Sequence, residues 1–260
     1  MMLRQVCTIL LLVPFIGLNA QSPGRNFDPP DYLDEELYYL ISYSFLNAGA
    51  AKITFKKDSV TEMSHIVADA RTIGLANVLY KIRDIYESYM DPVTGYPQKA
   101  IRNVREGSYY EYNEVVYDYE TRSDSTIVHS QKSGTSVVPR HIFDILTGFF
   151  HFRKNFVPKE MAPGEMILIK TYFTDEVWDL KIRYAGKETI KTKLGKIACL
   201  KFNPVTEVGR AFKTENDMSV WFTDDENHLP VKIWLDLKVG SVTSELIEYK
   251  NLKYEFTSLQ

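Results

Sequence analysis

The chain has 260 residues, with 31 basic and 34 acidic side chains and a formal charge of −3. A charge this close to neutral excludes a general nucleic-acid binder, which needs a basic excess to compete for phosphates. Tyrosine (17) and phenylalanine (14) in a 45% hydrophobic composition exclude a disordered chain, and two cysteines exclude a disulfide scaffold or cysteine-rich metal cluster.

Met1 to Ala20 reads as a secretory signal peptide. Arg4 supplies the positive start, Val6 to Ile16 the apolar run, and Leu18-Asn19-Ala20 a small-residue cleavage site. The run is shorter than the ~20 residues a membrane-spanning helix needs. Cys7 precedes most of it and Gln21 stands at the expected mature N-terminus, so no lipid anchor is expected. The reading is an exported, soluble, periplasmic protein with no transmembrane segment after signal cleavage. Cys199, in the apolar stretch Ile197-Ala198-Cys199-Leu200, is expected to be a buried small hydrophobe.

Residues 21–35, rich in Pro, Gly and Asp, read as an irregular N-terminal arm. Strand signals then dominate. Aromatic and β-branched residues predict strands at 36–45, 50–56, 62–72, 80–90, 98–106, 109–119 and 126–131. A short helical turn is expected at Gly74 to Leu79, and Asp91-Pro92-Val93-Thr94-Gly95 is a strong turn. Ser133 to Val138 reads as a loop. Pro139 is then expected to open one helix, over Arg140 to Phe152, because Ile142, Ile145, Leu146 and Phe149 recur at helical spacing. Strands resume at 165–173, 176–184, 188–194, 197–202, 218–222, 231–237 and 241–249, with Ala185-Gly186 read as a turn between the second and third.

This pattern predicts a mostly β fold: a single antiparallel, strongly curved, barrel-like sheet with one helix packed on its concave face. Residues 36–260 are read as one β-rich domain built from two similar meanders. Asp91, Pro97, Lys99 and Gly107 echo Asp224, Pro230, Lys232 and Gly240 at one constant offset.

Several stretches together resemble the exported domain-of-unknown-function family 3108 of Gram-negative envelopes, over roughly Leu37 to Tyr249. They are Gly49 in the first hairpin, Ala70 to Leu75 leading to Tyr80 to Asp84, and Asp144 to Arg153. Gly186 to Glu188 with Thr192 to Gly195, and Val220 to Asp225 with Leu229 to Lys232, complete the set. The resemblance implies a β-rich fold similar to envelope lipoproteins of capsule clusters, with a distant likeness to half-barrel lipid and lipoprotein carriers. It brings no activity and no catalytic residues.

Chemistry-bearing motifs are sparse. His65, His129, His141, His151 and His228 show no metal-ligand spacing, and His228 in its acidic turn is expected in solvent. No nucleophile elbow, phosphate loop or dinucleotide fingerprint occurs. The reading is therefore non-enzymatic, with no catalytic residue, metal or cofactor. Phe149, Phe150 and Phe152 exceed what one core stripe needs and are expected to fill or lid a ligand cavity. Arg153 is weighed as a helix-end ion pair or as an anion contact at that cavity's mouth. Lys191 and Lys193 are weighed as a solvated strand face or as an anion-facing strand for glycolipid or polysaccharide. Glu111, Glu114, Asp118, Glu120 and Asp124 form an acidic counterpart. The leading expectation is a protein that binds an apolar or amphipathic envelope component, a lipid or glycolipid. The alternative is a structural or interaction protein of an envelope assembly with a protein partner, and behind it a glycan or lipid hydrolase.

Overall fold

The computed structural model describes residues 28–155, 161–206 and 212–260. The segment read as a signal peptide and the start of the N-terminal arm lie outside the described residues. Residues 28–35 carry no strand or helix.

Strands β1 (Glu36–Tyr43), β2 (Leu46–Lys57) and β3 (Ser64–Thr72) lead to helix α1 (Gly74–Leu79). Strands β4 (Ile82–Met90), β5 (Pro97–Glu106), β6 (Tyr109–Asp118), β7 (Ser125–Ser130) and β8 (Gly134–Pro139) precede helix α2 (Ile145–Asn155). Strands β9 (Met166–Phe173), β10 (Glu176–Thr192), β11 (Gly195–Pro204), β12 (Met218–Thr223), β13 (Pro230–Asp236) and β14 (Ser241–Lys250) follow. All lie in one antiparallel sheet, ordered β8-β7-β6-β5-β4-β3-β2-β1-β14-β13-β12-β11-β10-β9. Each ladder joins sequence neighbours except β1 to β14, which couples the two ends of the chain.

The outer strands β8 and β9 share no ladder among the described residues, yet the sheet nearly closes between them. Phe143 makes a parallel bridge to Thr171. Its N–H donates to the Lys170 carbonyl at 3.1 Å, and the Tyr172 N–H donates back to its carbonyl at 2.7 Å. Tyr172 packs among Val115, Tyr117, Val128, Val138 and Ile142 of the facing side. One backbone bridge and side-chain packing thus complete a barrel that the strand ladders leave open.

Alternation sets the inner face. On β4, Ile82, Asp84, Tyr86, Ser88 and Met90 are buried while the residues between them are not. Helix α2 is buried at Leu146, Thr147, Gly148, Phe150, His151, Phe152 and Arg153, nearly all round its circumference. A helix covered on every side lies inside a structure rather than on it. Here it fills the barrel, joining one cluster around Phe152, Phe202 and Phe222 to another around Tyr32, Phe55 and Phe150. Fully burying each Phe contributes about 1.5–3 kcal/mol.

Three local expectations are corrected. The helix does not begin at Pro139, which ends β8; it begins at Ile145, because Asp144 is the cap. Asp144 Oδ1 accepts the N–H groups of Leu146 (2.7 Å) and Thr147 (3.2 Å), and the Asp144 N–H donates back to Thr147 Oγ1 (3.1 Å). The stretch read as a loop at 133–138 pairs with β7 as strand β8, from Ser130↔Gly134 to Ser125↔Pro139. Ala185-Gly186 is a bulge inside the 17-residue β10 and not a turn, with the register shifting between Tyr184 and Gly186 at a φ of 108°.

Candidate functional site: an apolar cavity inside the barrel

The helix does not fill the interior completely. A cavity of about 190 Å³ remains between α2 and the inner faces of strands from both halves of the chain. Ala51, Ala68 and Ala70 line it from β2 and β3, where larger side chains would occupy the space. Phe149, Phe152, Phe202 and Phe222 enclose it from the helix and the second half. Apolar cavities of about 150 Å³ stay dry and accept a single aromatic ring. Pockets for drug-sized ligands run to roughly 300–1,000 Å³. This space therefore suits one ring or a length of alkyl chain.

One carboxyl interrupts the apolar wall. Asp84 on β4 is 1% exposed and lines the cavity. Its Oδ1 accepts the Arg105 N–H at 3.1 Å, while its Oδ2 is buried and makes no hydrogen bond among the described residues. The buried Glu106 carboxyl lies beside it within hydrogen-bonding reach. Burial, and then the neighbouring Glu106, push the Asp84 carboxyl up to about 7, although the Arg105 amide opposes the rise. Sequence reading did not single out Asp84 as a site residue. The signal was available: a carboxylate at an inward position of a strand that otherwise alternates Ile, Tyr, Ser and Met inward.

The helix residues divide. Phe149 and Phe152 line the cavity. Phe150 faces away from it, packing at 5.2 Å from Phe55 and 5.7 Å from Tyr32, ring centre to ring centre. Arg153 is no cavity-mouth contact. It is fully buried, its two terminal nitrogens donating to Glu35 at 2.6 and 2.7 Å and its Nε to the Asn227 carbonyl at 2.9 Å. Tyr32 stacks on the guanidinium at 4.0 Å. An arginine fully buried in a bidentate carboxylate pair has no exposed face to offer an external anion. Lys191 is exposed on β10, whereas Lys193 lies past the strand's end, in the turn to β11, so the two do not form one strand face. Of the acidic counterpart, Glu111 pairs with Arg102 and Lys132 instead.

The remaining candidates have structural surroundings. His228 is half-buried, a ring nitrogen 3.1 Å from the Arg153 carbonyl, and so is not a solvent group. His141 sits in the turn before α2 and His151 on it, stacked 4.4 Å from Phe143 and held neutral by burial that pushes it down to about 4. Burial pushes the Cys199 thiol up to about 12, so it is unreactive in the folded state. Among the described residues, no three His, Cys, Asp or Glu side chains gather as metal ligands.

A second feature is an apolar rim. The β1–β2, β3–β4 and β13–β14 connections adjoin at one end of the barrel. The Ser44 N–H donates to the Ser241 carbonyl (2.7 Å), the Ile73 N–H to the Ala48 carbonyl (3.0 Å) and the Tyr43 hydroxyl to the Val239 carbonyl (2.9 Å). Phe45 is 88% exposed there, and Leu46, Leu75, Val78, Leu79 and Val239 are also in solvent. Arg71, Lys81 and Lys238 are exposed beside them.

Fold and cavity together define a class: a nearly closed antiparallel β-barrel of meander topology with a helix and a small apolar chamber inside. The chain belongs to the family described as protein of unknown function DUF3108, whose model matches residues 38–247. Among solved structures it is similar to a β-barrel-like protein of domain of unknown function 1849 from Brucella abortus. That pair is 10% identical, covers 87% of this chain and 100% of that one, and has a TM-score of 0.57. A protein from Bacteroides fragilis described as exported, with a YmcC-like fold, is 11% identical over 87% of this chain and 100% of that one, at a TM-score of 0.35. One from Parabacteroides distasonis described as a lipoprotein is 12% identical over 88% and 100%, at 0.34. Identities this low speak to the fold alone, and only the first likeness is strong enough to do so. No curated protein matches the sequence.

Proposed function

We propose that this chain is an exported, non-enzymatic protein that holds an apolar or amphipathic component of the cell envelope inside its barrel. The observation that carries the reading is the cavity of about 190 Å³ walled by aromatic and aliphatic side chains. A core packed only for stability leaves few voids larger than a water molecule. Small residues at three inward positions keep this one open, against the density expected of a folded interior. The Met1 to Ala20 pattern supports export to the periplasm. Among the described residues no helix is long and apolar enough to cross a membrane.

Native mass spectrometry tests this on protein purified without detergent from an envelope-competent host. The expected result is a discrete co-purified mass that is lost on denaturation and identified as lipid or glycolipid. Ala68→Leu, which fills the chamber from β3, is expected to abolish the adduct and leave the fold intact. Clean apo protein across repeated preparations removes the reading.

The apolar rim favours a second reading, a structural or interaction protein of an envelope assembly. Exposed apolar clusters flanked by polar groups mark interaction surfaces. This reading expects partner binding to fail when the rim is made polar and to be indifferent to Ala68→Leu. A glycan hydrolase using this carboxyl pair is disfavoured. Its two carboxyls need to flank a bond at about 5–9.5 Å, whereas Asp84 and Glu106 are within hydrogen-bonding reach of each other.

A further inference from the structure

The apolar rim sits over a row of like charge. Arg71 on β3, Arg83 on β4 and Arg105 on β5 stand opposite one another across two ladders, and Tyr110 on β6 continues the row. All three arginines are exposed on the outer face, while Thr72, Asp84 and Glu106 beside them turn inward. Facing side chains in such a sheet start about 5 Å apart, and like charges held there destabilise it. Compensation within the chain is partial. Asp69 pairs with Arg83 at 3.2 Å, and Arg105 lies over the Tyr110 ring at 5.3 Å. No carboxylate among the described residues pairs with Arg71, and Lys81 adds an exposed charge at the same end.

Helix α1 joins β3 to β4 directly beyond this row, and it is pinned there. The Ile73 N–H donates to the Ala48 carbonyl at 3.0 Å. The Tyr80 hydroxyl donates to the Glu106 carbonyl at 3.0 Å, and the Gly107 N–H to the Lys81 carbonyl at 2.8 Å. Yet α1 buries none of its residues, and Leu75, Val78 and Leu79 stand in solvent. Phe45 joins them from the tip of the β1–β2 turn. A cluster of exposed apolar side chains marks a surface that something covers. Apolar tips with guanidinium groups one layer behind them match a bilayer, where phosphates lie over the acyl region. The opposite end of the barrel carries acids in its turns, Glu62, Asp91, Asp124 and Glu226 among them. An anionic surface therefore attracts one end and repels the other.

We propose that the rim end docks on a bilayer containing anionic lipids. Phe45, Leu75, Val78 and Leu79 enter the acyl region, and Arg71, Arg83 and Arg105 take the lipid phosphates. This names the partner for the interaction reading of the rim and rests on that reading; it is independent of what the chamber holds.

Co-sedimentation with vesicles tests it, using protein purified from an envelope-competent host. One vesicle is phosphatidylcholine alone; the other contains about one-third phosphatidylglycerol. The anionic vesicle is expected to bind at least about tenfold more tightly, and binding should fall as salt rises from about 50 to about 500 mM. Replacing Arg71, Arg83 and Arg105 with Gln is expected to weaken anionic-vesicle binding about a hundredfold, at roughly fivefold per arginine. Changing Phe45, Leu75 and Leu79 to Ser is expected to lower binding to both vesicles. Lys57→Gln, Lys196→Gln and Lys253→Gln together make the same charge change at the opposite end and should bind like the unmodified protein. Equal binding to both vesicles, or equal loss in the arginine and lysine variants, overturns the docking. So does loss in the arginine variant with the rim variant unaffected, which assigns the row to a soluble polyanion. Should a variant not fold, salt decides: anionic-vesicle binding that does not weaken with salt overturns the arginine contacts. Failure with both vesicles overturns the docking, and a photo-cross-linker at Phe45 in whole cells then tests the interaction reading separately. A defined protein adduct there keeps that reading, and its absence removes it too.

Discussion

Removing Arg153 tests the view that α2 is anchored by charge as well as by packing. Its guanidinium is fully buried and makes two contacts to Glu35, itself 2% exposed, so solvent screening is minimal. Removing one partner of a buried ion pair costs about 3–5 kcal/mol, because the other charge is stranded. The bond to the Asn227 carbonyl and the Tyr32 face are lost as well, but these overlap with the pair and do not simply add. Arg153→Met keeps much of the volume, so about 4 kcal/mol is expected, against a total stability of about 5–15 kcal/mol. With a urea m-value near 3 kcal/mol/M, the midpoint should fall by more than about 1 M. Glu35→Gln should cost nearly as much, and the double variant distinctly less than the two costs summed. Tryptophan-monitored urea unfolding of all four proteins completes the cycle. A loss below about 1 kcal/mol in either single variant, or simple additivity, would falsify the anchoring role.

Four other outcomes follow from the same coordinates. Asp84 has a folded-state value near 7 against 3.8 ordinarily, so the unfolded chain releases its proton first and stability falls as pH rises from about 4 to 7. The loss amounts to at most about 4 kcal/mol, and Asp84→Asn should flatten the dependence of the urea midpoint between pH 5 and 8. Asp144→Ala removes the α2 cap and the acceptor of the buried Ser88 hydroxyl at 2.6 Å, so thermal unfolding should show a loss of about 2–4 kcal/mol. Cys199 should resist thiol reagents in native buffer and react fully in denaturant; rapid native labelling would contradict its burial. Changing Phe45, Leu75 and Leu79 to Ser together should leave stability within about 1 kcal/mol while lowering retention on a hydrophobic column.

Most strands were legible in the sequence because alternation and turn residues act locally. The short helix at Gly74 to Leu79 and the strands read at Gln98 to Glu106 and Ser241 to Tyr249 needed no tertiary information. The misread elements were those settled by distant partners. Gly134 to Pro139 is polar and short, and becomes a strand through the β7 ladder. Ile142 belongs to the same apolar rhythm as Leu146 but packs against the seam, because Asp144 starts the helix after it. The site was less legible still. Nothing near Arg153 in sequence reveals that Glu35, 118 residues away, takes its charge. Asp84 was quoted within a motif, yet its significance needs the chamber that Ala51, Ala68 and Ala70 leave open.

The β1–β14 ladder has a consequence for how this protein comes into being. Every other pairing can form as soon as the next strand leaves the ribosome. Strand β1 alone waits for the last one, with Glu36 meeting Lys250 across nearly the whole chain. Until then two half-finished sheets coexist, each with a raw edge able to pair with a stranger. Completion of the sheet is therefore timed by the arrival of β14. A chain cut before Ser241 would lose the clasp that turns two ribbons into a container.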